Sequence, residues 1–265
     1  GRPVPGEAEA SDRIAYGIPD VLGADRPSYA GARVLVIGAG HSAANVLLDL
    51  ARLAREALGT RTFWARRRAS LARLVGGGAG DELAARGQLG LAAERLVGNG
   101  QVETLAPFAV ERIERMGGAL SVSGIEDGRS VTLEVDRIVV ATGFRPDLDL
   151  LRELRIESAP VMEAPPRLAP LIDPNLHSCG TVPPHGVAEL AQPEDGAFVV
   201  GMKSFGRAPT FLMLTGYEQV RSIAAHLAGD RKAAREVHLT LPETGVCSGP
   251  LGNTASSCCG GPRYA

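Results

Sequence analysis

Arg33-Val-Leu-Val-Ile-Gly-Ala-Gly-His-Ser-Ala43 is the stretch that decides the fold. Val34 to Ile37 form the continuous apolar run of a buried parallel strand. Gly38, Gly40 and Ala43 follow at the G-x-G-x-x-G/A spacing, and a helical pattern begins at once. Strand, glycine turn and helix in that order suit the pyrophosphate of a dinucleotide. Gly38 permits the tight turn, Gly40 lets backbone approach phosphate, and Ala43 lets helix and strand pack closely. The free N–H groups and partial positive charge at the helix start then attract the anion. His41 and Ser42 stand where they can hydrogen-bond a cofactor or simply cap the helix.

Downstream, Val46, Leu47, Leu50, Leu53, Ala54 and Ala57 give the helix, about Ser42 to Leu58, its apolar stripe. Thr60 to Ala65 reads as the next strand, Gly76 to Gly80 as a loop, and residues 81–97 as a helix. Short strands follow around Val102, Phe108–Ile113, Leu120–Ser123 and Val131–Val135, with turns at Gly117-Gly118 and Asp127-Gly128. Asp136 to Asp147 closes the unit with a buried strand and a glycine turn. Ala197 to Gly201 reads as a further buried strand, and Thr210 to Leu227 as a helix with Thr210 at its N-cap. Residues 1–30 read as a connecting segment and 241–265 as a mobile tail, because both are rich in turn residues and lack period.

The 28 basic and 30 acidic residues nearly cancel, so charge does not point to nucleic acid or a membrane surface. No apolar run is long enough to span a bilayer, and the start lacks a signal-peptide layout. Leu241-Pro-Glu-Thr-Gly245 matches a cell-wall sorting signal but lacks the apolar stretch and basic end that mechanism needs. Four cysteines in 265 residues do not make a disulfide framework, so a reducing cytoplasm is the expected setting. The chain starts without Met and reads as a fragment or a processed product. A small-molecule or metalloid substrate is the expected partner, with a homo-oligomer left open.

The end of the second strand chooses between nucleotides. A ribose 2′-OH wants a carboxylate there, whereas a 2′-phosphate wants arginine. Arg66, Arg67 and Arg68 stand at that point with no acid beside them, and guanidinium groups grip phosphate through paired donors. NADPH is therefore the expected cofactor, with Arg66 and Arg67 as its 2′-phosphate ligands; a solvated basic run is the plainer alternative.

Val34 to Ala43, Trp64-Ala-Arg-Arg67 and Val139-Val-Ala-Thr-Gly-Phe-Arg-Pro-Asp147 together resemble the NADPH domain of two-dinucleotide-binding flavoproteins. That group includes thioredoxin-reductase-like enzymes and flavin-containing monooxygenases. The resemblance implies that Ala141, Thr142 and Gly143 return the chain to an FAD domain. It also implies that Ala197 to Gly206 and the next helix are that domain's last strand and helix, with Gly201 at the FAD and the helix pointing at the flavin. The implied architecture is α/β, a Rossmann-like parallel sheet with a β-meander plus the C-terminal part of an FAD-binding Rossmann domain. Its expected bounds are 1–30 connecting, 31–147 NAD(P)H-binding, 148–230 FAD-binding and 231–265 tail. The family places Asp after the last strand's glycine, and Met202 here fits the monooxygenase-like branch better. No FAD fingerprint precedes Gly38, so the chain reads as the C-terminal part of a larger flavoprotein. Between Gly40 and Asp147 no Cys-x-x-Cys supplies the dithiol of thioredoxin reductases.

Four further stretches resemble flavoproteins associated with bacterial arsenic-resistance operons: Asp173 to His185, Ser204 to Phe211, Leu241 to Gly249 and Ser256 to Gly261. Cys258 and Cys259 are adjacent, and adjacent cysteines bridge only through a strained ring, which favours a dithiol or a labile disulfide. Thiolates are soft ligands, so Cys247, Cys258 and Cys259 are candidate ligands for As(III), or two of them for Hg(II). A non-enzymatic soft-metal(loid)-binding thiol module and an inactive fragment are the alternatives to an FAD-dependent NADPH oxidoreductase. Cys179, between His177 and His185, lacks the spacing and fourth ligand of a zinc site. No side chain stands out as a general acid or base, so chemistry would rest mainly with the flavin.

Overall fold

The computed structural model describes residues 3–81, 83–177 and 180–241. In order they form β1 (Ile14–Tyr16), α1 (Arg26–Tyr29), β2 (Arg33–Ile37), α2 (His41–Glu56), β3 (Arg61–Ala65), α3 (Ala72–Val75), α4 (Ala84–Gly98), β4 (Glu103–Leu105), β5 (Phe108–Met116), β6 (Ala119–Glu126), β7 (Arg129–Val135), β8 (Arg137–Val140), α5 (Val187–Leu190) and α6 (Met213–Leu227). Five strands pair in parallel in the order β1-β8-β2-β3-β4, and β5-β6-β7 make a separate antiparallel meander. The expected α/β class, with a Rossmann-like parallel sheet and a β-meander, is what the chain adopts.

Side-chain alternation on the strands builds two cores from one sheet. Val34, Val36, Trp64 and Val139 pack with Ala43, Val46, Leu47, Leu50 and Leu53 of α2 and with Ala93 and Leu96 of α4. Leu35, Phe63, Ala65 and Ile138 face the other way, onto Phe108, Ile113, Leu120, Val122 and Val135 of the meander. Helices thus cover one face and the meander the other, as a parallel sheet apolar on both faces requires. At the N-terminal end of the strands Arg33 donates to both oxygens of Asp136 at 2.9 and 3.1 Å, which ties the start of β2 to the residue before β8.

Three local expectations change. Residues 11–30 are not featureless connection: Ile14 to Tyr16 form the edge strand beside β8, and Arg26 to Tyr29 a short helix. A strand of 3 residues is too short to show a period. Ala197 to Gly201 is not a strand; Phe198 makes a single antiparallel bridge with Ala191, and Gly201–Phe205 turns into a 3-10 helix. The apolar run alone could not supply the neighbouring strands that a ladder needs. Thr210 does not cap α6, which begins at Met213 with Leu212 as N-cap; its buried hydroxyl instead donates to the Ile172 carbonyl. Among the described residues no helix is long and apolar enough to cross a membrane.

A third core gathers Ala164, Leu168, Ile172, Leu190, Phe205 and Ile223, with Leu241 packed against it. At its centre is a polar network on the buried side of α6. Gln219 is fully buried; its carbonyl oxygen accepts from Gly201 N at 2.7 Å, and its amide lies 2.9 Å from both Ser204 Oγ and His185 Nε2. His185 Nδ1 faces the Pro183 carbonyl at 3.0 Å, so Nδ1 carries the proton and Nε2 accepts. Burial lowers the His185 pKa, in keeping with a neutral ring that has no place for a second proton. Below about pH 6.5 the unfolded chain gains a proton that the folded one refuses, so stability falls as pH drops. Thermal melts between neutral pH and pH 5 should show that slope, and His185→Gln should flatten it. An unchanged slope would assign the effect elsewhere, first to His41, whose pKa burial also lowers.

Candidate functional site

Strand β2 lies between β3 and β8, with the chain leaving β2 through α2 to reach β3 on one side only. In such sheets ligands bind beyond the carboxyl ends of the strands, where strand order reverses. Gly38, Arg66 and Ala141 follow directly from β2, β3 and β8 at that edge.

The two fingerprint glycines have different reasons to be glycine. Gly38 has φ 143°, and a Cβ there would lie 2.2 Å from the Ala141 oxygen and 2.6 Å from its carbonyl carbon. The close approach of two strand ends therefore requires it. A Cβ on exposed Gly40 would meet nothing within 4 Å. Gly40 is the N-cap of α2, and no side chain caps that helix. The opening N–H groups of α2 are thus left for a ligand beside an open backbone surface. Ala43 is fully buried in the core between helix and sheet.

Trp64 anchors the turn. Its ring is fully buried, and Nε1 donates to the Gly38 carbonyl at 2.7 Å, which fixes the first fingerprint peptide. The Arg66 guanidinium lies 4.4 Å from the centre of that ring. Arg66 is itself only 5% exposed; Nη1 donates to the carbonyls of Ala69 at 2.7 Å and Arg68 at 3.3 Å. Arg67 and Arg68 are exposed. The three arginines are therefore not equivalent: one is buried in the turn, and two face solvent.

Leu74 and Asp81 lie beside His41 at the start of α2. A Cβ on Gly90 of α4 would lie 2.4 Å from the Leu74 oxygen, so a helical glycine admits α3 against α4. Asp81, its side chain fully buried, pairs with Arg86 at 2.7 Å. His41 sits near this pair, and burial followed by the Arg86 cation lowers its pKa. His41 Nε2 and Arg66 Nε are buried without a hydrogen-bond partner.

Ser42 is half-buried at the start of α2. The Ala141 N–H donates to the Ile37 carbonyl at 2.7 Å, and Thr142 and Gly143 follow it exposed on the β8 side. Gly201 lies apart, in the third core's polar network, with its N–H given to Gln219. Cys179, Cys247, Cys258 and Cys259 lie outside the described residues. Among the described residues no three His, Cys, Asp or Glu side chains gather as a metal site.

Sequence reading quoted Trp64 only as part of a resemblance and missed its hold on the Gly38 carbonyl, along with the Asp81–Arg86 pair and Gly90. A signal existed for the first: Arg66 directly follows β3, two residues after Trp64, so continued strand alternation puts both on one face. An open backbone, uncapped helix N–H groups, two exposed arginines and an orphaned imidazole nitrogen together fit a dinucleotide phosphate.

No protein-family model matches the chain, and no curated protein matches it. Solved structures do. The bacillithiol disulfide reductase of Bacillus cereus aligns with 85% of this chain and 58% of its own, at 17% identity and TM-score 0.54. Thioredoxin reductase of Lactococcus lactis aligns over 86% and 63%, at 16% identity and TM-score 0.55. The cadaverine monooxygenase of Erwinia amylovora, described bound to FAD, aligns over 89% and 61%, at 13% identity and TM-score 0.57. The chain has the Rossmann-like α/β fold these proteins share and spans about three fifths of their lengths.

Proposed function

We propose that this chain is the NADPH-binding part of an FAD-dependent oxidoreductase of the disulfide-reductase and monooxygenase fold. The observation that carries the reading is the α2 N-terminus, open at Gly40 and flanked at the next strand end by exposed Arg67 and Arg68. On this reading the α2 N–H groups and Ser42 take the pyrophosphate, while His41 supplies a hydrogen bond from its orphaned nitrogen. Arg67 and Arg68 take the 2′-phosphate, and Thr142 and Gly143 line the other side. NADPH bound there supplies hydride to a flavin. Gly201 and the uncapped N-terminus of α6 are the proposed contribution to the flavin's surroundings. The test is NADPH binding to the protein, followed by nicotinamide fluorescence. Saturable binding that disappears in Gly40→Val supports the reading; no saturable binding, or binding indifferent to Gly40→Val, refutes it.

The resemblance of the C-terminal stretches supports a finer proposal, a cytoplasmic role in metalloid detoxification with Cys247, Cys258 and Cys259 as soft ligands. Titrating arsenite against the wild type and a Cys258→Ser/Cys259→Ser variant tests it. Loss of binding in the variant is expected, and unchanged binding eliminates the cysteine pair.

A further inference from the structure

We propose that Arg66 is a positioning residue for NADPH selectivity, rather than a phosphate ligand. It holds the turn after β3 so that Arg67 and Arg68 meet the 2′-phosphate. The proposal rests on the NADPH reading and assigns the three adjacent arginines separate tasks.

Arg66 has the environment of a structural wedge. Its guanidinium lies against the buried Trp64 ring, and one nitrogen bonds the carbonyls of Arg68 and Ala69. Its own backbone extends the sheet edge, with N–H donating to Leu105 O at 2.9 Å and the carbonyl accepting from Phe108 N at 2.7 Å. The residue is therefore fixed at both ends while the chain between it and Ala69 reverses around its side chain. Among the described residues no carboxylate pairs with it, and its Nε–H is buried and unbonded. Burying a cation that way is costly. An apolar residue would fill the space at less cost, but it would release the two carbonyls that define the turn. With the residue only 5% exposed, Nη1 committed to two carbonyls and Nε buried, a phosphate cannot take a paired grip from this guanidinium without dismantling the turn.

Lysine keeps the charge but loses the planar fork that spans ring and carbonyls. Positioning by Arg66 therefore predicts that Arg66→Lys and Arg66→Met both lower the NADPH-over-NADH preference, by about tenfold or more. NADH affinity should stay within about twofold, which reports that the fold and the pyrophosphate site survive. The decisive readout is a double-mutant cycle on that preference. In an Arg67→Ala/Arg68→Ala background, Arg66→Met should have no further effect, because there is nothing left to position. Additive loss in the cycle, or full preference in Arg66→Lys, would make Arg66 a direct phosphate ligand and overturn the proposal. Preference intact in Arg66→Met, or NADH affinity lost along with NADPH affinity, would overturn it too. A wild type with no NADPH preference fails separately, since it refutes the nucleotide assignment before any variant is made.

Discussion

Gly38→Ala is expected to lower the melting temperature by on the order of 10 °C, whereas Gly40→Ala should shift it by only a few degrees. Both residues belong to one motif, yet only Gly38 is confined by the protein itself. An alanine there must hold φ near 143° and push its methyl into the Ala141 carbonyl. Backbone strain and steric displacement each cost about 1–3 kcal/mol. Gly40 has φ −102°, which any residue adopts, and open space where a methyl would go. Alanine costs that position at most about 1 kcal/mol as a poorer N-cap. Its effect should appear in dinucleotide affinity, since the methyl occupies the surface that phosphate approaches. Melts and binding isotherms on the two variants check both halves. Equal destabilisation would mean that the motif serves packing alone.

The second large effect concerns the arginines. Arg67→Ala/Arg68→Ala should weaken NADPH binding by about a hundredfold or more, since two charge-assisted contacts worth about 1.5–3 kcal/mol each are lost. NADH should bind within about threefold of wild type, because it has no 2′-phosphate to lose. Affinities for both nucleotides, measured at one ionic strength, decide the point. A parallel fall for the two would show that these side chains feel only the overall charge.

How far the sequence could be read depended on whether a residue's surroundings were local. Val34 to Ala43 was legible because strand, turn and helix lie within one short stretch, and each residue type answers a nearby constraint. The meander was legible from its glycine turns and alternation. Ile14 to Tyr16 was not, because its pairing with Ile138 to Val140 joins segments far apart in the chain. Val199 and Val200 misled for the converse reason: an apolar run implies burial, and Val199 is buried without a ladder while Val200 stays exposed. The arginine triplet was legible as a basic cluster at a strand end, but not which of its members is buried. Which of Arg66, Arg67 and Arg68 turns inward depends on the phase of β3, set by Phe63 and Ala65 against one core and Trp64 against the other.

Trp64 also provides the most direct measurement. It is the single tryptophan of the chain, bonded through Nε1 to the Gly38 carbonyl and so placed at the fingerprint. Reduced nicotinamide absorbs where tryptophan emits, so NADPH bound at this edge should quench Trp64 and gain sensitised emission of its own. A saturable titration with NADPH tighter than NADH, weakened in Gly40→Ala, is the expected result. No saturable transfer with either nucleotide, or transfer unaffected by Gly40→Ala, would contradict a dinucleotide site at Gly38 to Ala43.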